Sequence, residues 1–101
     1  MVIYQGNTYK LPIKLSINGK IIAAEDVKKV EFAIGEVVKT YPDQATHNGE
    51  NFICPLTQED TFSLKKGKTD FQVRVQFSDE SVKCTGTRAV TVCEAISKAV
   101  L

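Results

Sequence analysis

Four groups of side chains are of types that do chemistry, and spacing decides what each can do. His47 is the only histidine, with Asp43, Asn48, Glu50 and Asn51 close to it in sequence. Such a set could ligate a cation, but zinc draws on several His or Cys side chains. A calcium loop of the EF-hand type needs its own alternating ligand positions and a terminal bidentate Glu. Neither pattern is present, so the stretch reads as a solvated loop without a metal. Acidic pairs fall at Glu25-Asp26, Glu59-Asp60 and Asp79-Glu80. Glycoside hydrolysis needs two carboxylates facing each other across a cleft, whereas neighbours in turns diverge into solvent. No histidine stands near a serine or cysteine in a nucleophile-and-base arrangement. Lys65-Lys66-Gly67-Lys68 lacks the first glycine of a phosphate loop and reads as a solvated turn. The expectation is a chain with no catalytic residues and no cofactor, not an enzyme.

The fourth group is Cys54, Cys84 and Cys93. None belongs to a Cys-x-x-Cys pair, and an odd number cannot close a disulfide framework. Reduced thiols in a reducing compartment are the simple reading. Cys84 and Cys93 lie on opposite parities of one expected strand and cannot pair there. A Cys54 to Cys84 bridge between strands remains open.

The elements that carry these residues are strands. The spine is Asp70 to Val92: Phe71, Val73, Val75 and Phe77 alternate with Gln72, Arg74 and Gln76, the period of two of a half-buried strand. After a turn at Ser78–Ser81, a second run places Val82, Cys84, Val90 and Val92 on one parity, so a long antiparallel hairpin is expected. The same inward parity carries Gly86 and Arg88, and a guanidinium is rarely left unpaired in a core. A bulge or sheet crossing near Thr85–Thr87 should therefore turn Arg88 outward or toward a carboxylate.

Upstream, Tyr9, Leu11, Ile13, Leu15 and Ile17 share a parity. Pro12 in the same run favours an edge position or a break. Asn18-Gly19 predicts a type I′ hairpin turn. Ala23–Lys28 reads as a connection with one helical turn, too short to be stable by propensity. Val30, Phe32 and Ile34 form a strand that turns at Gly35-Glu36 into Glu36–Tyr41. Pro42–Glu50 reads as the longest loop, with almost nothing to bury. Phe52, Cys54 and Leu56 form another strand. Thr57 and Asp60 then set up a capping box for a one-turn helix near 57–61 that crosses between sheets. Glu94–Leu101 is expected to form a short terminal helix with Ile96, Val100 and Leu101 on one side.

The sum is about seven or eight short strands in a single domain spanning residues 1–101, an all-β antiparallel Ig-like β-sandwich, with a small barrel as the competing architecture. A chain of 101 residues, 43% hydrophobic and 25% charged, suits one globular core. Thirteen basic and twelve acidic residues give a net charge of +1 and are interspersed. That balance argues against nucleic acid as a partner. No apolar run approaches the roughly 20 residues needed to span a bilayer, and the first residues lack the pattern of a secretory signal. A cytoplasmic origin without membrane association is expected.

Ile3-Tyr4-Gln5-Gly6-Asn7-Thr8, the alternating run Leu11 to Ile17, Asn18-Gly19-Lys20 and Val30-Glu31-Phe32-Ala33-Ile34-Gly35 carry a resemblance. So do Leu56-Thr57-Gln58-Glu59-Asp60-Thr61, the lysine-glycine turn, and the strand ending in Phe77-Ser78-Asp79. Together they resemble the N-terminal domain of baseplate upper proteins of phages of Gram-positive bacteria. The chain departs from that pattern after Ile22, where a leucine-threonine-glycine turn is missing, and no fibre or receptor-binding region follows Leu101. The resemblance implies a structural or adaptor protein of a phage or prophage tail or baseplate. Its partners would be other tail or baseplate proteins and itself, and it would pass from the bacterial cytoplasm into the virion. The apolar ends, Val2, Ile3 and Tyr4 with Ile96, Val100 and Leu101, are the candidate assembly contacts. The rival expectation is a small Ig-like carbohydrate- or ligand-binding module, for which Tyr4, Tyr9 and Tyr41 are the available aromatic platforms.

Overall fold

In the computed structural model, which describes residues 1–101, the chain is mostly strand. Its elements are β1 (Val2–Tyr4), β2 (Tyr9–Ile13), β3 (Ser16–Ile17), β4 (Lys20–Ile21), β5 (Val27–Ile34), β6 (Val37–Tyr41), β7 (Thr46–His47), β8 (Phe52–Leu56), the helix α1 (Gln58–Ser63), β9 (Gly67–Phe77), β10 (Val82–Cys84) and β11 (Arg88–Cys93). One 3-10 turn, Ala24–Asp26, precedes β5. The larger sheet runs β1-β11-β9-β5-β6, with β10 also paired to β9; β2-β8-β7 form a second sheet and β3-β4 a small hairpin. All pairs are antiparallel except β1 with β11.

Alternation explains how the sheets share a core. Val30, Phe32 and Ile34 of β5, Phe71, Val73 and Val75 of β9, and Val90 and Val92 of β11 all turn inward from the larger sheet. Phe52, Cys54 and Leu56 of β8 do the same from the smaller one. The sheets meet where Phe32 and Phe52 pack with ring centroids 6.2 Å apart. Tyr41 adds an edge-on contact to Phe52 at 5.1 Å. Burying such rings contributes on the order of 2 kcal/mol each from area alone.

The turns are chosen by backbone chemistry. Asn18 and Gly19 both adopt positive φ, +53° and +79°, and close β3 onto β4 with Ile17 opposite Lys20. This is the geometry that splays two short strands least. Pro12 lies on β2, an edge strand, where a missing N–H disrupts no central ladder.

Three expectations are corrected. Residues 94–101 do not form a helix: the segment runs on irregularly after β11. The stretch 42–50 is not merely solvated, because Ala45 is fully buried and Thr46–His47 pair with Phe52–Ile53 of β8. Finally, Val82 and Cys84 point outward. Cys84 pairs with Arg74 and Arg88 with Phe71, so Thr85, Gly86 and Thr87 occupy the span of only two residues, Gln72 and Val73. This extra residue reverses the facing of everything before it, as a one-residue slip must. Arg88 thereby keeps core parity, opposite Phe71, but stands exposed at the rim and pairs with no carboxylate.

The gap in the ladder is closed by one side chain. The Val73 N–H donates to Thr85 Oγ1 at 3.1 Å, the Thr85 N–H donates to the Val73 carbonyl at 2.8 Å, and Gln72 Nε2 donates to the Thr85 carbonyl at 3.0 Å. Thr85→Val keeps the shape and removes the acceptor, and is expected to cost about 1 kcal/mol. Gly86→Ala, at ordinary φ with nothing near the added carbon, should leave stability unchanged or raise it by up to ~1 kcal/mol. Urea midpoints at unchanged m-value check both.

Candidate functional site

The helix α1 decides where the chain ends lie. It begins as the capping box predicts: Asp60 N–H donates to Thr57 Oγ1 at 3.1 Å, and Thr57 N–H donates to Asp60 Oδ2 at 2.8 Å. Its buried Thr61 then holds the turn after β1, for the hydroxyl donates to the Asn7 carbonyl and accepts from the Gly6 N–H, both at 2.9 Å. Gly6 has φ +84°, and a side-chain carbon there would lie 2.8 Å from the Phe62 ring, so only glycine fits.

Gln5, next to that turn, and Gln58, on the helix, hold the last residues. Gln5 Oε1 accepts from the Ala95 N–H at 3.2 Å and from Lys98 Nζ at 2.8 Å, while Gln5 Nε2 donates to the Leu64 carbonyl at 2.7 Å. Gln58 reads the Leu101 backbone at both groups, accepting from its N–H at 2.8 Å and donating to its carbonyl at 3.2 Å. The two ends thus gather on one side of the molecule.

The six candidate contacts separate there. Ile3 is fully buried in the core, because the middle residue of β1 faces inward, and it offers nothing to a partner. Val2 and Tyr4 face outward from the edge of the larger sheet, about half exposed. Val100 is 62% exposed, and Ile96 and Leu101 are as open to water as in an extended peptide. Of the other tyrosines, Tyr9 receives the Tyr4 N–H on its hydroxyl at 2.9 Å and Tyr41 packs on Phe52, leaving Tyr4 the exposed ring.

The remaining chemical groups are engaged locally. His47 lies edge-on to Phe52 with centroids 4.6 Å apart, and its Nδ1 accepts from the Gly49 N–H at 3.0 Å. Asp79 accepts from the Ser81 hydroxyl and N–H, which hold its carboxyl below the ordinary carboxylate range. No three His, Cys, Asp or Glu side chains converge. No helix is long and apolar enough to cross a membrane.

One charged pair is enclosed. Lys39 lies on β6, the edge of the larger sheet, yet on the core parity opposite Phe32, and its Nζ reaches Asp60 Oδ2 at 2.8 Å. Burial works against the Asp60 charge most strongly, but the hydrogen bonds from Lys39 and Thr57 together outweigh it and hold the carboxyl below its usual range. Cys54 responds to the same surroundings: burial pushes its thiol up to about 11 against a smaller opposing pull from Lys39.

The structure also contains a cleft of about 610 Å³ between β2–β3 and the Thr85–Arg88 segment, backed by the buried Leu15, Phe71 and Val73. Sequence reasoning missed it, and the Arg88 parity conflict was the signal that led nearest to it. No protein-family model and no curated protein matches the chain.

Two measurements follow from these groups. All three cysteines are free, so a thiol reagent should titrate exposed Cys84 first, half-buried Cys93 more slowly, and Cys54 only on unfolding. Asp60→Asn keeps an acceptor for the Thr57 N–H and removes the ion pair. Because the folded pKa of Asp60 is depressed, its contribution is present above the unfolded pKa and is lost as pH falls through the folded one. Urea unfolding should therefore show the variant about 1 kcal/mol weaker near pH 7 and the gap closing as the pH falls below the ordinary carboxylate range.

Proposed function

We propose that this chain is a non-enzymatic structural or adaptor protein of a phage or prophage tail or baseplate. It has the Ig-like sandwich arrangement and works through protein–protein contact. The observation that carries the reading is the tail. Its backbone is fixed by Gln5 and Gln58, while Ile96, Val100 and Leu101 hold their side chains in water, and Val2 and Tyr4 face outward from β1, the strand paired to β11. An ordered segment with large exposed apolar side chains loses little further entropy on docking, and such a patch is what partner surfaces are made of. The resemblance of the Tyr4–Thr8 start, the Asn18-Gly19 hairpin and the Leu56–Thr61 cap to baseplate domains supplies the kind of assembly.

The experiment is light scattering of the chain at rising concentration, alongside its distribution between free and particle fractions of a producing bacterium. The expected results are a mass above monomer and co-sedimentation with tails. Both should be lost in the Ile96→Ser, Leu101→Ser double variant, with the urea midpoint unmoved because both positions are fully exposed. A monomer at every concentration that never enters particles would end the reading.

A further inference from the structure

We infer that the cleft between β2–β3 and the Thr85–Arg88 segment is a binding site for a small amphipathic monoanion, an apolar chain carrying a carboxylate. Its volume, about 610 Å³, is that of small-ligand sites in general. Leu15, Phe71 and Val73 back the cleft but are almost fully covered by the fold, so the half-exposed Ile13 and Ile17 present the apolar surface against which a chain would lie.

The charge of the lining sets the head group. Lys14 and Arg88 both line the cleft and no Asp or Glu does. Lys14 has only a long, open contact to Glu50, 3.8 Å away. Arg88 makes no ion pair, whereas Arg74, the other arginine, bonds Glu31 at 3.0 Å. The Arg88 position is the informative one. Lying opposite Phe71 on the core parity, it reaches the cleft side of the sheet and not the outer face where carboxylates are available. A guanidinium offers a planar fork that fits a carboxylate bidentately.

A further donor stands nearby. Thr85 Oγ1 accepts the Val73 N–H and donates to nothing in the chain, so its proton is free for an anion. The extra residue at Thr85–Thr87 interrupts the regular pairing beside the cleft, where Thr85 bonds Val73 and Gly86 and Thr87 line the opening. An uncharged ligand would forgo the attraction of Arg88 and Lys14, and a second anionic group would have to lie along the apolar wall formed by Ile13 and Ile17.

Decanoate and decan-1-ol, below their aggregation limits, are the probes, followed by calorimetry and by amide shifts in isotope-labelled protein. Decanoate should bind saturably at one site per chain, with the largest shifts at Leu15, Val73, Thr85 and Arg88, and decan-1-ol about tenfold or more weaker. Arg88→Gln should weaken decanoate about tenfold and leave decan-1-ol unchanged, while Arg74→Gln on the outer face changes neither. Equal binding of acid and alcohol, an Arg88→Gln variant that binds decanoate normally, or shifts centred on Val2, Ile96 and Leu101 would each overturn the assignment. Because Arg88 lies outside the terminal patch, this result is independent of the mass and particle measurements.

Discussion

The hydroxyl of Thr61 is the polar group on which most of the arrangement hangs. It is the one buried polar side chain, and it ties the helix between the sheets to the turn after β1. A helix of six residues has no stability of its own in water, since nucleation costs more than so few hydrogen bonds return. It persists because each turn position has outside work. Thr57 and Asp60 cap it, Asp60 fixes the edge strand β6 through Lys39, Gln58 holds the tail, and Thr61 holds the turn. The crossing from β8 to β9 therefore links both sheets, an edge strand and both chain ends through four residues.

What was legible in the sequence was local. The alternation of Phe71 to Phe77, the Asn18-Gly19 turn and the Thr57–Asp60 box depend on neighbours within a few residues, and the structure contains all three. The terminal helix failed for the opposite reason. Ala95–Leu101 has helical composition, but its backbone groups bond to Gln5 and Gln58, which lie far away in sequence. Nothing in the pattern of the last eight residues carries that information. Likewise Ala45 and His47 sit in a stretch of turn formers: Ala45 is buried with its N–H on the Thr40 carbonyl, and His47 is half-covered through pairing with β8 and the Phe52 ring.

The candidate site divides along the same line. Apolar residues at the ends were visible as composition, but which of them face water depended on β1 pairing with β11. That pairing sends Ile3 inward while Val2 and Tyr4 face out. The half-buried Lys39–Asp60 pair was unreadable, because a lysine on the core parity of an edge strand looks like an error until its partner is known. An inward charge of this kind also makes an edge a poor template for a further strand. The apolar ends, by contrast, carry no such guard.

The extra residue in the returning strand shows how a parity conflict becomes a surface. Continuing the ladder through Thr85–Thr87 in regular register would have driven Val82 and Cys84 into the core, with Lys83 outward. Burying the Arg88 guanidinium there without a partner would cost several kcal/mol. Inserting one residue interrupts the ladder, a loss of about 1 kcal/mol per missing hydrogen bond, and Thr85 restores an acceptor for the Val73 N–H. The insertion turns Val82 and Cys84 outward, while Arg88 keeps its core parity opposite Phe71 and escapes burial by standing exposed at the rim. The interior stays closed at that point, with Leu15, Phe71 and Val73 buried and Arg88 exposed at the rim. The cleft beside the insertion combines an apolar wall with Lys14 and Arg88 and is lined by no Asp or Glu.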